Sequence, residues 1–274
     1  HRSLTDRPRP TGPHGPLLRI PLPMSRSPLL RSRLFSSFHH VVAGFSTRHG
    51  GVSAPPYDTL NLGVHVGDDP TSVEENRRRF CAALDTDPAW LATARQVHGS
   101  TVRVVEGPRH VPFCDGMVTD TPGVLLAVTA ADCAAVLLAD PEAGVVGACH
   151  SGWRGTVHDI AIHTVNAMVD QGADASRIHA YVSPCISASA FEVGPEVAAQ
   201  FDDAHVRTRE EWRRPHVDLK AALADQLRSC GVADAHLDVS PRCTAEEPED
   251  FFSYRASGGG PTGMMCGAIR LRTQ

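Results

Sequence analysis

The sequence predicts a single mixed α+β or α/β domain, and three observations carry that expectation. From Phe35 onward, short strand-like runs alternate with helix-periodic segments. Three mostly apolar runs, residues 124–129, 134–139 and 145–149, follow one another closely, as buried strands do. The 274 residues are 42% apolar, enough to bury one large core.

The elements are expected in this order. Residues 40–46 read as a strand. Residues 70–84 read as a helix, with Pro70 at its start and Glu74 and Glu75 in the first turn. Residues 101–106 alternate like a strand, and the three buried strands follow, the last two joined by a turn at 140–144. A helix should begin near Gly155, because Val157, Ile160, Ala161, Val165, Met168 and Val169 share one face. Gly172 stands where a C-cap glycine belongs. A strand at 177–182, helices at 194–203 and 217–229, and strands at 235–240 and 266–272 complete the chain. No repeat at a fixed period is visible.

Residues 1–33 read as an extension outside the fold, disordered or not native, with the catalytic domain spanning 34–274. They hold seven prolines and seven arginines against one acid, Asp6, without periodicity. The chain begins at His1, and Met24 is a candidate native start. The formal charge is −5 overall, so the body beyond residue 33 carries about −11, which argues against a broad nucleic-acid surface. No run approaches the ~20 apolar residues of a membrane span. Eight cysteines in a chain this long, with no CxxC pair, read as reduced thiols of a cytoplasmic protein.

Three segments place a metal-ligand residue type among small or turn residues: Gln96-Val97-His98-Gly99, Ala131-Asp132-Cys133, and Cys149-His150-Ser151-Gly152-Trp153-Arg154-Gly155. His150 ends a predicted strand just before a helix, a common place for active-site groups. The separations of 35 and 17 residues match no zinc-finger pattern. On spacing alone, two hydrogen-bonded histidines and a core cysteine are the simpler account.

These segments belong to a longer set: FSTRHGGVS at 45–53, LNLG at 60–63, GDDP at 67–70, ENR at 75–77, QVHG at 96–99, ADC at 131–133, GWRG at 152–155, FEVG at 191–194, CT at 243–244 and FFSYR at 251–255. In this order they resemble the YfiH family of polyphenol-oxidase or laccase-domain proteins, which includes FAMIN-like purine nucleoside phosphorylases. The resemblance runs from about Phe45 to Leu271. It implies a layered α/β/β/α sandwich like that of cysteine hydrolases. It implies zinc held by His98, Cys133 and His150, which are also the catalytic set. Three protein ligands leave a fourth position open, as in catalytic rather than structural zinc sites. It implies that adenosine, inosine and methylthioadenosine are split with phosphate, and that adenosine is deaminated to inosine. Purine nucleosides and phosphate are then the partners, with no nucleic acid or membrane.

For substrate binding the candidates are Arg48, in a Gly-rich loop; Asn61, also suited to a turn; Arg77, on the apolar face of the 70–84 helix, where burial calls first for a structural ion pair; and Arg154, at a helix start suited to phosphate or to a structural carboxylate. The sequence departs from the family's usual pattern at Ser151, Ser183, Ala134-Ala135 and Met264, the last standing where an arginine is usual. Two other readings use the same residues. One is a copper-dependent polyphenol oxidase, although the His-x-His pairs of multicopper sites are missing. The other is a metal-free Cys–His hydrolase with Cys133 as nucleophile. The H-x-E and P-C-x-x-C signature of zinc nucleobase deaminases is also missing. Asp132 adjoins a proposed ligand but has no assigned role.

Overall fold

In the computed structural model, residues 27–273 are described. Residues 1–26 of the expected extension lie outside them. Residues 27–33 are part of the fold. Leu29–Leu30 (β1) pairs antiparallel with Val41–Ser46 (β2). The Thr47 amide donates to the Pro28 carbonyl. Ser32 caps the short helix Arg33–Ser36 (α1) and donates to Asp238 at 2.6 Å, while Phe35 enters the core. The body of the protein therefore starts earlier than residue 34: two leucines and a capping serine dock in a context whose Pro/Arg content suggested none of this.

The helix expected at 70–84 is Pro70–Ala83 (α2), with Asp69 accepting from the Ser72 amide and Pro70 in the first turn. Then come strands Leu91–Ala94 (β3), Val102–Val104 (β4), His110–Val111 (β5), Gly116–Thr119 (β6), Leu125–Ala130 (β7), Ala134–Asp140 (β8) and Val145–Ser151 (β9). The helix expected from Gly155 is two helices, Trp153–Val157 (α3) and Ile160–Asp170 (α4). Asp159 separates them in the left-handed region, at φ 57°. Next are His179–Val182 (β10) and a four-residue helix Pro195–Ala198 (α5) in place of the longer 194–203. Asp202 instead caps a separate 3₁₀ turn there. Val206–Arg207 (β11), His216–Val217 (β12), Leu219–Ser229 (α6), Leu237–Val239 (β13) and Met265–Leu271 (β14) close the chain. No helix of the described residues is long and apolar enough to cross a membrane.

Two six-stranded sheets form, in the orders β1-β2-β14-β7-β3-β5 and β13-β10-β8-β9-β6-β4. Period-two alternation decides what each strand face covers. On β8, Ala135, Leu137 and Ala139 meet Phe45, Leu126, Val128 and Ile269 of the other sheet. Ala134, Val136 and Leu138 turn the other way, onto Ile160, Val165 and Met168 of α4 and Leu223 and Leu227 of α6. On the far side, Val42, Leu125, Ala127 and Ala268 cover Phe80 and Cys81 of α2 and its C-cap residue Leu84. The sheets approach so closely that a Cβ on Gly267 would lie 2.5 Å from that of Ala135.

Because β1 and the α1 cap Ser32 tie the edge of one sheet to Asp238 in the edge strand β13 of the other, a chain beginning at Leu34 should melt roughly 5–10 °C below one beginning at Ser27. Calorimetry on the two proteins checks this, and equal melting temperatures would contradict it.

Candidate metal centre

The chain crosses between the sheets at one end of the sandwich; two of the three proposed ligands lie at those crossings and the third on the adjoining strand. His98 is in the connection from β3, in the first sheet, to β4, in the second. Cys133 ends the connection from β7 to β8. His150, in β9, continues the inter-sheet face of Val146 and Ala148 and stands opposite Ala135. Their ligand atoms all lie within 4.8 Å of one another. The His98 and His150 rings meet edge-on with centroids 4.7 Å apart.

Two features keep this cluster open and oriented. A Cβ on Gly152 would lie 2.7 Å from Cys133 Sγ, so only glycine leaves room at that point. His98 and Asp132 occupy the left-handed region, at φ 59° and 84°, a conformation that persists only where surrounding bonds enforce it. The fully buried Asp115 supplies those bonds for His98. It accepts from the amides of Val97, His98 and Gly99 at 3.1, 3.0 and 2.8 Å. His150 Nδ1–H donates to it at 2.9 Å. One carboxylate thus shapes the His98 loop and leaves His150 Nε2 as the free ring nitrogen. Gln96 fastens the same loop to β7 by bonding both the amide and the carbonyl of Thr129. Asp132 faces away from the ligand role: it accepts from Thr244 Oγ1 and the Arg255 amide, pinning two later segments.

The electrostatics follow from this arrangement. Burial alone would raise the Asp115 carboxyl, but His150 and the amides of Gly99 and Val97 hold it below its ordinary value. Burial would likewise raise the Cys133 thiol, yet His150 and His98 draw it down to about 6. Cys149 and Cys185, without such neighbours, are pushed up to about 12 by burial. Cys133 is thus the cysteine suited to bind as thiolate. Two imidazoles and a thiolate are borderline-soft donors that fit Zn²⁺ and also Cu²⁺.

Two cavities meet at the cluster and share His98, Ala131, Cys133 and Met264 in their walls. The first, about 410 Å³, lies toward α2 and β3 and is lined by Arg77, Arg95, His65 and His110. The second, about 540 Å³, is lined by Trp153, Phe191, Ile186, Leu219 and Tyr254.

The candidate substrate residues fare differently. Arg77 lines the first cavity; its guanidinium donates to the Leu62 carbonyl at 3.3 and 3.4 Å and makes no ion pair among the described residues, so a carbonyl stands where an ion pair was expected. Arg48, Asn61 and Arg154 line neither cavity. Arg48 bonds the Asp58 and Pro248 carbonyls and pairs with the Asp58 carboxylate. Asn61 is fully buried and accepts from the amides of Gly63 and Met264, shaping the cavity wall from behind. Arg154 is exposed, with its guanidinium 4.4 Å from the centre of the Trp153 ring. Asp115 escaped sequence reasoning, since an aspartate before glycine reads as a turn residue.

Known proteins share this architecture. The family described as multi-copper polyphenol oxidoreductase laccase matches residues 42–272. A purine nucleoside phosphorylase of Deinococcus radiodurans is 47% identical over 246 residues, covering 89% of this chain and 93% of that one. One of Streptomyces griseus is 45% identical over 83% of this chain and 93% of its own. Among solved structures, YlmD from Geobacillus stearothermophilus matches with a TM-score of 0.83 at 35% identity, covering 90% of this chain and 97% of that one. YfiH from Bacillus licheniformis gives 0.84 at 31% identity, with the same coverage. The chain belongs to the YfiH family of laccase-domain proteins.

Asp115→Asn keeps the shape but replaces an acceptor oxygen with a donor facing backbone amides. Zinc affinity, measured by competition with a chromophoric chelator, should fall about 10–100-fold. Unchanged affinity would show that Asp115 does not orient the cluster.

Proposed function

We propose that this protein is a zinc-dependent purine nucleoside phosphorylase acting on adenosine, inosine and methylthioadenosine, and that it also deaminates adenosine to inosine. The observation that carries the reading is the convergence of His98, Cys133 and His150 where two differently lined cavities meet. The names of the relatives, at 47% and 45% identity across most of both chains, support the reaction class. His98, Cys133 and His150 hold the metal, which when bound supplies positive charge beside the reacting atoms. Asp115 fixes the tautomer of His150 through Nδ1. The cavity walls bind and orient the nucleoside and shield its anomeric carbon, so phosphate rather than water reaches that atom. The eight free cysteines suit a reducing, cytoplasmic setting.

The laccase description of the family favours a second reading, copper-dependent phenol oxidation. Cu²⁺ would compete well for these donors. A multicopper centre, however, draws on more histidines than the single three-donor group found among the described residues. Cys133 between two imidazoles also suits a nucleophile in a metal-free hydrolase.

Purified protein should release adenine from adenosine only when phosphate is present. Cys133→Ala should lower that rate at least about a hundredfold while losing the metal. Chromatographic product analysis with metal quantification decides. Phosphate-independent oxidation of phenols as the sole activity would overturn the reading in favour of copper. Phosphate-independent nucleoside cleavage that survives complete metal removal would overturn it in favour of the hydrolase.

A further inference from the structure

The two cavities at the cluster are sorted by chemistry. The 540 Å³ chamber presents the aromatic faces of Trp153, Phe191 and Tyr254 with the aliphatic Ile186 and Leu219. Its charged residues are already committed: Asp132 to Thr244 and the Arg255 amide, and the Arg255 guanidinium to the carbonyls of Ala190 and Glu192. Such a surface suits a flat, apolar, hydrogen-bonding ring. The 410 Å³ chamber is lined by Arg77, Arg95, His65 and His110, with no aspartate or glutamate in its wall.

Arg77 is the telling residue. It sits half-buried on the inner side of α2, and its guanidinium has only the Leu62 carbonyl, at hydrogen-bond limits of 3.3–3.4 Å. A partly buried guanidinium without an anion is costly, and a phosphate oxyanion is the ligand its planar fork matches. It also borders an adjoining surface cleft containing Asp68 and Glu74, but it pairs with neither. Asp68 is occupied by Ser53 and Asn61. Arg95 brings a second charge from the end of β3, its guanidinium 5.0 Å from the centre of the Phe113 ring. Thr93 Oγ1, in hydrogen-bond contact with His110 Nδ1 at 3.0 Å, adds a hydroxyl to the same wall.

We propose that the chamber of Arg77, Arg95, His65 and His110 is the phosphate subsite and that the chamber of Trp153, Phe191 and Tyr254 holds the purine, with the ribose between them beside the His98–Cys133–His150 cluster. This rests on the phosphorylase reading and assigns its two substrates to separate places. The division suits the reaction. The C1′–N9 bond breaks, with its electron pair going to the purine nitrogen, while a phosphate oxygen bonds to C1′. The proton carried by hydrogen phosphate ends on the purine. Entering and leaving groups occupy opposite faces of the same carbon, so two chambers meeting at one wall fit the displacement. Arg154, exposed beyond both chambers, is left without a part in holding phosphate.

Steady-state rates on the metal-loaded protein, varying phosphate and adenosine separately, test this. They are paired with calorimetric titration of inorganic phosphate in the absence of nucleoside. Arg77→Met and Arg95→Met should each raise the KM for phosphate about tenfold or more and weaken calorimetric phosphate binding in parallel, with the KM for adenosine within about twofold of the parent. Trp153→Ala should do the reverse. If Arg77→Met fails to fold, as judged by circular dichroism, Arg77→Lys and Arg95→Met carry the test. An unchanged phosphate KM and unchanged phosphate binding in folded arginine variants would overturn the assignment, as would an effect confined to adenosine. If the parent protein cleaves no nucleoside, the phosphorylase reading fails by itself. Calorimetry then still decides the anion site: phosphate binding lost in the arginine variants supports it, and no phosphate binding by the parent overturns it.

Discussion

Four hydrogen bonds converge on the buried carboxylate of Asp115, and the geometry of the cluster depends on them. Three come from consecutive amides of the turn that carries His98, whose backbone would otherwise be strained; the fourth comes from His150 on a different element. A carboxylate offers about four lone-pair sites, and here all are used. Its own position is tied to the sheet: the Asp115 amide donates to the Thr101 carbonyl, and the His150 amide donates to the Asp115 carbonyl. Loop, strand and side chains are therefore positioned by one group. Removing its charge would leave buried donors unsatisfied, the His150 imidazole unoriented and the His98 turn unsupported.

The sandwich explains why the cluster lies where it does. Between the sheets the core is apolar and close-packed, as the Gly267–Ala135 contact requires. At the end where β3 leads to β4 and β7 leads to β8, the chain leaves one sheet and enters the other. Backbone irregularity is tolerated there, and polar side chains reach inward from both sides. Asn61 and Asn76 extend this order outward. Buried Asn76 bonds Ser53 and the carbonyls of Thr59 and Asn61, and Asn61 then braces Gly63 and Met264 at the cavity wall. The family's LNLG and ENR motifs thus include residues that build the pocket from behind.

Much of this was legible in the sequence. Short, mostly apolar runs located β2, β7, β8, β9 and β14, because each is buried on both faces. The candidate ligands were legible through their motif context, since spacing alone matches no known finger. Other features were not legible, for physical reasons. Leu91–Ala94 and Gly116–Thr119 are too short and too mixed to show a period, and they become strands through their neighbours. The α3–α4 break at Asp159 is invisible to a periodicity that runs on through it. Asp115 is recognisable only by what surrounds it in space. Arg154 looked like an anion ligand from its place in GWRG, but its position in the first turn of α3 directs it to solvent beside Trp153.

Metal chemistry at this centre depends on the ligand set. X-ray absorption at the zinc edge, on protein purified without added metal, reads that set directly. It should give one sulfur at about 2.3 Å and nitrogens at about 2.0–2.1 Å, with the sulfur lost in Cys133→Ser. A shell without sulfur, or a full complement of metal with an unchanged spectrum in Cys133→Ser, would contradict it.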